Sequence, residues 1–291
     1  MALDRFSEIC KVNEPLAPYT HLRIGGPADY LVQPRSEEEL AQVLRHCTAE
    51  NIPVRVLGGG GNILVRDEGV RGTVLRLSEP AFSKLHVEGS RIEAGAGAGL
   101  SRLISEAAKQ SLAGLELLVG IPGTVGGAVR CNAGDRIGEI GQYVSSVVVL
   151  DSQGETATHE RDELRFAYRS SSIDELVILR AQFEMERDSA EAIVKRMRKA
   201  WIQRKAAQPL TFQTSVRLFK DVRGIEVSSL IEQAGMAQAR VGEAELSERD
   251  PNFLIAHPGA TSGDVLRLMD MARSRVAEQF GVDLELQISV W

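Results

Sequence analysis

Two glycine-rich segments constrain the fold of this chain more than any other feature of its sequence. Residues 58–61 are four consecutive glycines, and residues 120–128 read Gly-Ile-Pro-Gly-Thr-Val-Gly-Gly-Ala. Backbone N–H groups approach a phosphate closely only where the Cβ is absent or φ is positive, so each segment is a candidate anion-binding loop. One such loop alone is equally typical of a tight turn. Two loops together favour a ligand with two phosphates, such as a dinucleotide.

The common phosphate-binding motifs are not met. Gly95-Ala-Gly-Ala-Gly99 has the wrong third spacing for the Rossmann fingerprint, and no GxGxxG opens the first predicted helix. Neither glycine segment ends in the Gly-Lys-Ser/Thr of a Walker A loop. A dinucleotide would therefore be bound by a different scaffold, with the side chain of Asn62 as a further donor.

The charge balance argues against nucleic acid and anionic membranes as main partners. The 291 residues include 34 Lys plus Arg and 40 Asp plus Glu, which gives a net charge of −6 without a polybasic block. An anionic small ligand held by a few local donors remains compatible with this balance. A chain of this length is expected to form about two domains.

Cysteine and histidine usage does not indicate a metal site. Cys10, Cys47 and Cys131 are isolated, without a CxxC pair, and the five histidines show no ligand spacing. We therefore expect no metal and no disulfide framework, as is typical of a reducing compartment. The chain also lacks a signal-peptide pattern and an apolar run of the roughly 18 residues that a spanning helix needs. The expected location is the cytoplasm.

Hydrophobic periodicity and turn residues predict a mixed α and β chain. Ser36 followed by three glutamates is typical of a helix N-cap with acids in the first turn, and this helix, ending near Glu50, lies between two short strands as in a βαβ unit. The other predicted helices span 100–111, 189–206, 227–234 and 262–280. The predicted strands span 30–34, 53–57, 73–77, 85–87, 91–94, 144–150, 177–186, 215–219, 253–255 and 284–290.

Six motifs together resemble the UDP-N-acetylenolpyruvoylglucosamine reductase family of flavoenzymes. They follow the family's order and spacing over nearly the whole chain, and they are Thr20-His-Leu-Arg-Ile-Gly-Gly-Pro-Ala28, Leu57-Gly-Gly-Gly-Gly-Asn-Ile-Leu-Val65, Gly114-Leu-Glu116, Gly120-Ile-Pro-Gly-Thr-Val-Gly-Gly-Ala128, Asn132-Ala-Gly134 and Tyr168-Arg-Ser-Ser171. No long insertion separates Tyr168-Arg169 from Gln208-Pro209. The chain is therefore similar to the shorter of the family's two types, which lacks an extra substrate-covering loop.

The resemblance implies a fold and a reaction. The fold is of mixed α+β and α/β class: an FAD-binding fold of the vanillyl-alcohol-oxidase kind in two subdomains, here 1–78 and 79–204, with a small C-terminal α/β substrate domain, 205–291. FAD is held without a covalent link and is reduced by NADPH. Hydride then passes to the enolpyruvyl group of UDP-N-acetylglucosamine enolpyruvate, and an acid protonates the neighbouring carbon. The product, UDP-N-acetylmuramate, serves peptidoglycan synthesis and with it cell-wall biogenesis, cell shape and division.

The resemblance also implies the site residues. Arg169 is expected to hold the substrate carboxylate or enolate oxygen, because a guanidinium fork suits such oxygens in a bidentate way. Tyr168, Lys220 and Asn252 are expected on the substrate side, where Lys220 and Arg240 are candidates for the diphosphate. The expected FAD contacts are Leu57, Gly58, Gly59, Gly60, Gly61, Asn62, Ile63, Ile121, Pro122, Gly123, Thr124, Gly126, Gly127, Ala128, Asn132 and Gly134.

The proton donor of the family is missing. The family carries a Gly-Ser or Gly-Cys pair before x-Phe-Lys-Asn-Pro, and anchoring on Phe219-Lys220 puts Val216-Arg217 at that pair and Asp221-Val222 at Asn-Pro. Arginine is no useful acid near neutral pH, because its pKa exceeds about 12. Ser215 lies on the same strand face, but its hydroxyl is displaced by roughly 6 to 7 Å, so it could replace the donor only through a bulge or a register change.

Two further departures lie in the same region. Gln287 stands at the position of the family's C-terminal glutamate, and an amide carries no charge and cannot act as an acid. Asp250 and Ala256 replace the histidine and the second asparagine of the family's His-Ala-Asn-Phe-Ile-Val-Asn segment.

Three hypotheses follow from this pattern. The first is a working reductase whose proton comes from elsewhere, for example from Ser215 after a strand shift or from a bound water. The second is an FAD-binding homologue that has lost this reaction and serves as a binding or regulatory protein, or acts on another substrate. It is favoured by the loss of both the acid and the glutamate, because removing a catalytic acid commonly costs about 10²- to 10⁴-fold. The third is a scaffold without cofactor, which predicts a colourless protein.

Overall fold

The computed structural model describes residues 3–209, 214–222 and 224–291. The α-helices in this part of the chain are α1 Glu37–Ala49, α2 Leu100–Lys109, α3 Val125–Arg130, α4 Ala190–Ala207, α5 Val227–Gln233 and α6 Ser262–Phe280. Short 3₁₀ turns lie at Asp4–Phe6, Ala17–Tyr19, Pro80–Phe82, Leu115–Leu118 and Ile140–Gln142.

The strands lie before, between and after these helices, in runs of up to eight. They are β1 Cys10–Pro15, β2 Pro27–Val32, β3 Val54–Val56, β4 Ile63–Leu64, β5 Val70–Leu75, β6 Leu85–Glu88, β7 Arg91–Gly95, β8 Leu112–Ala113, β9 Gly134–Asp135, β10 Gly138–Glu139, β11 Val144–Leu150, β12 Thr156–Glu160, β13 Phe166–Ala167, β14 Ser170–Ser171, β15 Val177–Glu184, β16 Glu186–Arg187, β17 Thr214–Arg217, β18 Arg240–Val241, β19 Ala244–Leu246, β20 Phe253–Ala256 and β21 Ser289–Val290.

Contacts between Cα atoms divide the chain into two compact units. Unit 1 contains the described residues of Met1–Asn13, Asp29–Gly59 and Arg71–Gln203, and unit 2 contains those of Glu14–Ala28, Gly60–Val70 and Arg204–Trp291. The chain therefore contributes three separate segments to each unit. The three-part division at 78/79 and 204/205 stays a prediction.

Unit 1 is built around an antiparallel five-stranded sheet. Its strand order is β12-β11-β15-β7-β6. The side chains of Val147 and Val149 on β11 and of Ala181 and Phe183 on β15 are buried. Helix α2 adds a buried stripe with the spacing that one face of a helix requires, formed by Leu100, Leu103, Ile104 and Ala107. A second sheet has the order β1-β2-β5-β3, so β5 separates the two strands of the predicted βαβ unit.

Unit 2 has its own core under a sheet of order β17-β20-β19-β18. Helix α6 begins with a capping box, in which the Thr261 hydroxyl accepts from Asp264 N–H while the Asp264 carboxylate accepts from Thr261 N–H. The helix ends at Gly281, whose φ of 66° permits the left-handed C-cap. These two signals explain why the predicted bounds of 262–280 agree with the structure.

The predicted strand at 284–290 is wrong over most of its length. Only Ser289–Val290 forms a strand, and it runs parallel to β4, while Leu286 makes a single bridge to Phe219. The carbonyl of Leu218 accepts from both Gln287 N–H (2.8 Å) and Ile288 N–H (3.3 Å). Two residues thus face one, and this irregularity interrupts the ladder that the alternating apolar residues predicted.

Candidate cofactor cavity and substrate-side residues

Unit 1 contains a cavity of about 270 Å³. It brings together six of the predicted cofactor residues, namely Leu57, Gly58, Gly59, Thr124, Gly126 and Gly127. Sequence reasoning missed the other lining residues, which are Val56, Arg76, Leu77, Ser78, Ala96, Gly97, Arg130, Leu176 and Ile178. The two glycine segments, about 60 residues apart in the sequence, therefore form two walls of one cavity.

The cavity walls require residues without a Cβ. A Cβ built on Gly59 would lie 2.7 Å from Gly123 Cα, so the two glycine segments touch through their backbones. A Cβ on Gly97 would lie 1.9 Å from Leu77 O. No side chain can stand at either position without moving the backbone. Gly97 belongs to the Gly95–Gly99 segment. We set this segment aside in the sequence because its spacing does not match the Rossmann fingerprint, although its glycines indicated a close backbone approach.

Several N–H groups of the second glycine segment already donate to oxygen atoms of the protein. Val125 N–H donates to Ala98 O and Gly126 N–H donates to Ala96 O, each at 2.8 Å. Gly127 N–H donates to the Thr124 hydroxyl, which caps α3, at 3.4 Å. These three N–H groups are therefore not free donors for a phosphate. In this structure the segment supplies shape and close backbone approach, whereas the sequence suggested N–H donors.

The remaining predicted cofactor residues lie outside the cavity lining. Ile121, Pro122, Gly123, Ala128, Asn132 and Gly134 are in unit 1, and Gly60, Gly61, Asn62 and Ile63 are in unit 2. The Asn62 amide donates to Gln287 O at 2.9 Å. Asn132 is fully buried, and its amide donates to Ala167 O and to the Glu139 carboxylate and accepts from Gly141 N–H. Both asparagines therefore fasten neighbouring segments.

Arg169 lies at the tip of a very short hairpin in unit 1. Strands β13 and β14 form two residue pairs, Phe166 with Ser171 and Ala167 with Ser170, and Tyr168-Arg169 is the loop between them. Arg169 has φ = 57°, a left-handed conformation that non-glycine residues rarely adopt. Its guanidinium carbon lies 5.6 Å from the centre of the Tyr168 ring. Backbone strain of this kind is retained where the surrounding structure fixes it, often at functional sites.

Arg217 in unit 2 is held by two carboxylates. Its Nη2 lies 3.0 Å from Asp221 Oδ1 and its Nη1 lies 3.5 Å from Asp250 Oδ2. Asp250 also accepts from the Ser228 hydroxyl and from Asn252 N–H. All three charged residues are departures from the family pattern. The departures that seem unrelated in the sequence therefore form one ionic cluster.

Removing one member of this cluster is expected to destabilise the protein. Arg217→Met leaves the Asp250 carboxylate, whose side chain is only 10% exposed, without its cation, and we expect a loss of about 2 kcal/mol in the free energy of unfolding. The double variant Arg217→Met/Asp250→Asn should be less destabilised than the sum of the single variants, by about 1 kcal/mol. Urea unfolding of the four proteins measures this coupling, and additive effects would contradict it.

The other substrate-side residues of unit 2 have mainly structural contacts. Ser215 pairs with Ile255 in a ladder that is regular from Thr214 to Arg217, so this ladder shows no bulge or register change that would move Ser215 to the Arg217 position. The fully buried Asn252 donates to Phe219 O and accepts from Phe219 N–H, each at 2.9 Å. Lys220 and Arg240, the candidates for the diphosphate, form ion pairs with Glu285 and Glu243. Tyr168 in unit 1 is 42% exposed.

Three buried side-chain atoms have no hydrogen-bond partner among the described residues. They are Arg169 Nε, Arg217 Nε and Gln287 Oε1. Buried polar atoms are almost always paired, and an exception in a folded protein needs an explanation. All three belong to residues that the sequence placed in the catalytic set. Arg169 lies in unit 1, whereas Arg217 and Gln287 lie in unit 2. Within its own unit, each of these atoms is available to pair with a polar ligand.

Within the described ranges, no helix is long and apolar enough to cross a membrane. The same residues contain no group of three or more His, Cys, Asp and Glu side chains that could hold a metal ion.

Comparisons with known proteins define the class of this chain. Residues 28–159 match the family model described as FAD binding domain, and residues 208–291 match that of the UDP-N-acetylenolpyruvoylglucosamine reductase C-terminal domain. The chain is thus a flavoprotein with an FAD-binding fold of the vanillyl-alcohol-oxidase kind and a small C-terminal α/β domain, which confirms the expected fold class. The chain belongs to the UDP-N-acetylenolpyruvoylglucosamine reductase family.

Individual relatives cover almost the whole chain. It is 41% identical to UDP-N-acetylenolpyruvoylglucosamine reductase 2 of Symbiobacterium thermophilum over 280 residues. The aligned residues are 96% of this chain and 91% of the relative. It is 42% identical to the Moorella thermoacetica reductase, with 96% and 92% covered. The crystal structure of the Thermus caldophilus enzyme superimposes with a TM-score of 0.83 at 36% identity, covering 97% of this chain and 98% of that one. These matches confirm the family resemblance.

Proposed function

We propose that this protein is an FAD-dependent reductase that uses NADPH to convert UDP-N-acetylglucosamine enolpyruvate to UDP-N-acetylmuramate. The observation that carries the proposal is the pairing of a cavity fitted to a cofactor with a strained arginine whose buried Nε is unsatisfied. Relatives that bear the name of this reductase cover 96% of the chain. The three-part division at 78/79 and 204/205 is retained as part of the proposal.

The residues present fit FAD. At Gly59 and Gly97 the backbone packs so closely on Gly123 and Leu77 that a Cβ would force the cavity walls to move. The walls combine apolar side chains with Arg76, Ser78, Thr124 and Arg130. Such a mostly apolar cleft with a few polar groups is typical of a cofactor site. Bound FAD supplies the hydride that the reaction delivers to the substrate. We assign its binding to the lining residues of the two glycine segments.

We assign Arg169 the role of holding the substrate. Its guanidinium offers several N–H donors in one plane, a geometry that matches a carboxylate, and its buried Nε is one donor that the folded chain leaves unused. A cation at this place also stabilises the negative charge that develops as the enolpyruvyl group accepts hydride. The positive φ of Arg169 aims the side chain at the cost of backbone strain.

The proton must come from a group other than the residue at position 217. The Arg217 guanidinium is engaged with Asp221 and Asp250 and cannot give up a proton near neutral pH. Both aspartates are engaged by the same guanidinium, and we assign the acid role to neither of them. We therefore propose that a bound water molecule relays the proton from bulk solvent, so that it takes up one proton as it gives one to the substrate carbon and no hydroxide is left behind. Gln287, with its free Oε1, can orient a water molecule by accepting a hydrogen bond from it.

The Arg217 cluster also favours a second candidate function. A flavoprotein that keeps its cofactor cavity while the acid position is closed by two ion pairs could pass its hydride to a different acceptor, or bind the nucleotide sugar without reducing it. In both candidates FAD is retained. They differ only in whether the enolpyruvyl substrate reoxidises the reduced protein.

The setting of the reaction follows from its reactants. UDP-sugars and NADPH are made inside the cell, so we propose a cytoplasmic reaction with these two small molecules as the partners. The product would feed peptidoglycan synthesis, and loss of the activity would then affect cell-wall biogenesis, cell shape and division.

A single anaerobic experiment separates the candidates. The visible spectrum of the purified protein is recorded, NADPH is added to bleach the flavin, and UDP-N-acetylglucosamine enolpyruvate follows. We expect the oxidised flavin spectrum to return, whereas UDP-N-acetylglucosamine, which lacks the enolpyruvyl group, should leave it bleached. A bound flavin that stays bleached with both compounds would reject the reductase and favour the second candidate. A colourless protein would reject both.

A further inference from the structure

Arg130 is a cavity-lining residue that the proposed chemistry does not use. It is the last residue of α3, the helix that also supplies Gly126 and Gly127 to the cavity wall. Burial lowers the pKa of its guanidinium, which means that the charge is held at a cost in solvation. A charged side chain kept in such a place needs hydrogen-bond partners that offset the lost solvation.

The guanidinium of Arg130 binds a segment that follows the Arg169 hairpin. Its Nη1 donates to Ile173 O, and its Nη2 donates to Glu175 O and, at 3.4 Å, to Leu176 O. One guanidinium group thus donates hydrogen bonds to three backbone carbonyls. Leu176 is itself part of the cavity lining, so the segment joins the cavity wall directly.

The backbone of the same residue binds the hairpin itself. The Ser171 hydroxyl donates to Arg130 O at 2.9 Å, and Ser171 is two residues after Arg169. Asn132 lies two residues after Arg130, and its amide donates to Ala167 O on strand β13 of the hairpin at 2.9 Å. Both strands and the following segment are therefore fastened to the C-terminal end of α3.

The hairpin depends on such contacts for its position. It contains only two residue pairs, and an isolated two-stranded hairpin is at best marginally stable in water. Arg169 also pays for a left-handed backbone conformation, which persists only where the surroundings fix it. Without external bonds the tip of this hairpin would not hold one conformation.

We propose that Arg130 is a positioning residue that fixes Arg169 relative to the cofactor cavity. The inference rests on the proposed function, because it takes Arg169 as the group that holds the substrate. One end of α3 then shapes the cavity and the other end sets the place of the substrate-binding arginine. A displacement of about 1 Å in such a group can slow a reaction about 100-fold.

The test compares Arg130→Met with a matched control. Arg45 on α1 is the control position, because its guanidinium also donates to two backbone carbonyls, Gln153 O (3.0 Å) and Gly154 O (3.1 Å), in a loop that does not line the cavity. Ser171→Ala is a second variant, which removes the separate bond between the hairpin and the backbone carbonyl of Arg130. Arg130→Lys retains the charge but not the planar fork.

Three measurements are made on each holoprotein: hydrogen exchange of the amides of residues 165–176, reduction of the flavin by NADPH, and its reoxidation by the enolpyruvyl substrate. Arg130→Met should accelerate exchange in this segment at least tenfold and slow reoxidation about 30- to 100-fold, with flavin reduction changed less than threefold. Arg130→Lys and Ser171→Ala should lie between wild type and Arg130→Met. Arg45→Met should leave exchange in the segment and both flavin reactions unchanged.

The outcomes separate this inference from the proposed function. If the wild-type protein is not reoxidised by the substrate, the proposed function fails, while the exchange measurement still decides whether Arg130 fixes the hairpin. Unchanged exchange in Arg130→Met and Ser171→Ala would overturn the inference. So would equal losses in flavin reduction and reoxidation, because a general defect of the fold affects both. If Arg130→Met does not fold, the same criteria apply to Ser171→Ala and Arg130→Lys.

Discussion

Replacing Arg169 by methionine is expected to slow reoxidation of the reduced flavin by the enolpyruvyl substrate about 1000-fold, while the protein keeps its flavin. The reason is that the variant loses the cation that stabilises the charge developing on the substrate, an interaction of the kind whose removal costs about 10²- to 10³-fold, together with bidentate binding of the carboxylate. Rapid-mixing measurements of flavin absorbance report the rate directly.

Two further variants make this result specific. Arg169→Lys keeps a positive charge without the planar fork, and we expect an intermediate loss of about 10- to 100-fold. Arg161→Met is the matched control, since Arg161 is a neighbouring exposed arginine that lies over the Phe166 ring at 5.4 Å. It should retain the wild-type rate. An Arg169→Met protein that reoxidises within tenfold of the wild type would remove Arg169 from the site.

Introducing a methyl group at Gly59 should weaken FAD binding at least 100-fold. In Gly59→Ala the new Cβ would lie 2.7 Å from Gly123 Cα, so the two cavity walls must separate, and small displacements of backbone are enough to lose close contacts with a ligand. Dialysis followed by titration of the apoprotein with FAD, monitored by flavin fluorescence, measures the affinity.

The control for this prediction is Gly99→Ala. A Cβ on Gly99 would meet only the Ser101 hydroxyl oxygen, at 3.9 Å, and the residue has an ordinary φ of −65°. We expect its FAD affinity to remain within threefold of the wild type. Equal affinities of Gly59→Ala and Gly99→Ala would show that the contact between the glycine segments does not shape the cofactor site.

Local signals allowed good prediction of single elements. Ser36 caps α1 by accepting from Glu39 N–H, and Thr261 and Gly281 delimit α6, so these two helices could be placed within a residue or two. The two glycine segments were also visible, because glycine alone permits positive φ and close backbone approach. The Arg169 motif was found only through the family resemblance.

Features that join distant parts of the sequence could not be predicted. Arg217 and Asp250 are 33 positions apart, and nothing in the sequence indicates that they form an ion pair. Nor does the sequence around Arg130 indicate that its guanidinium donates to three carbonyls within residues 173–176. The C-terminal alternation of apolar residues predicted a strand, but the doubled bond at Leu218 O prevents a regular ladder there. Such outcomes depend on tertiary contacts, which override local preference.

The discontinuous make-up of unit 2 has a consequence for how the protein is made. Strand β4 pairs with β21, and Arg66 N–H donates to the carbonyl of Trp291. Residues 14–28 and 60–70 therefore leave the ribosome long before their partners exist. At about 5 to 20 residues per second the delay is roughly 10 to 40 s. For that time the strand edge of β4 has no partner, and an unpaired edge is open to pairing with another chain until residues 204–291 have been made.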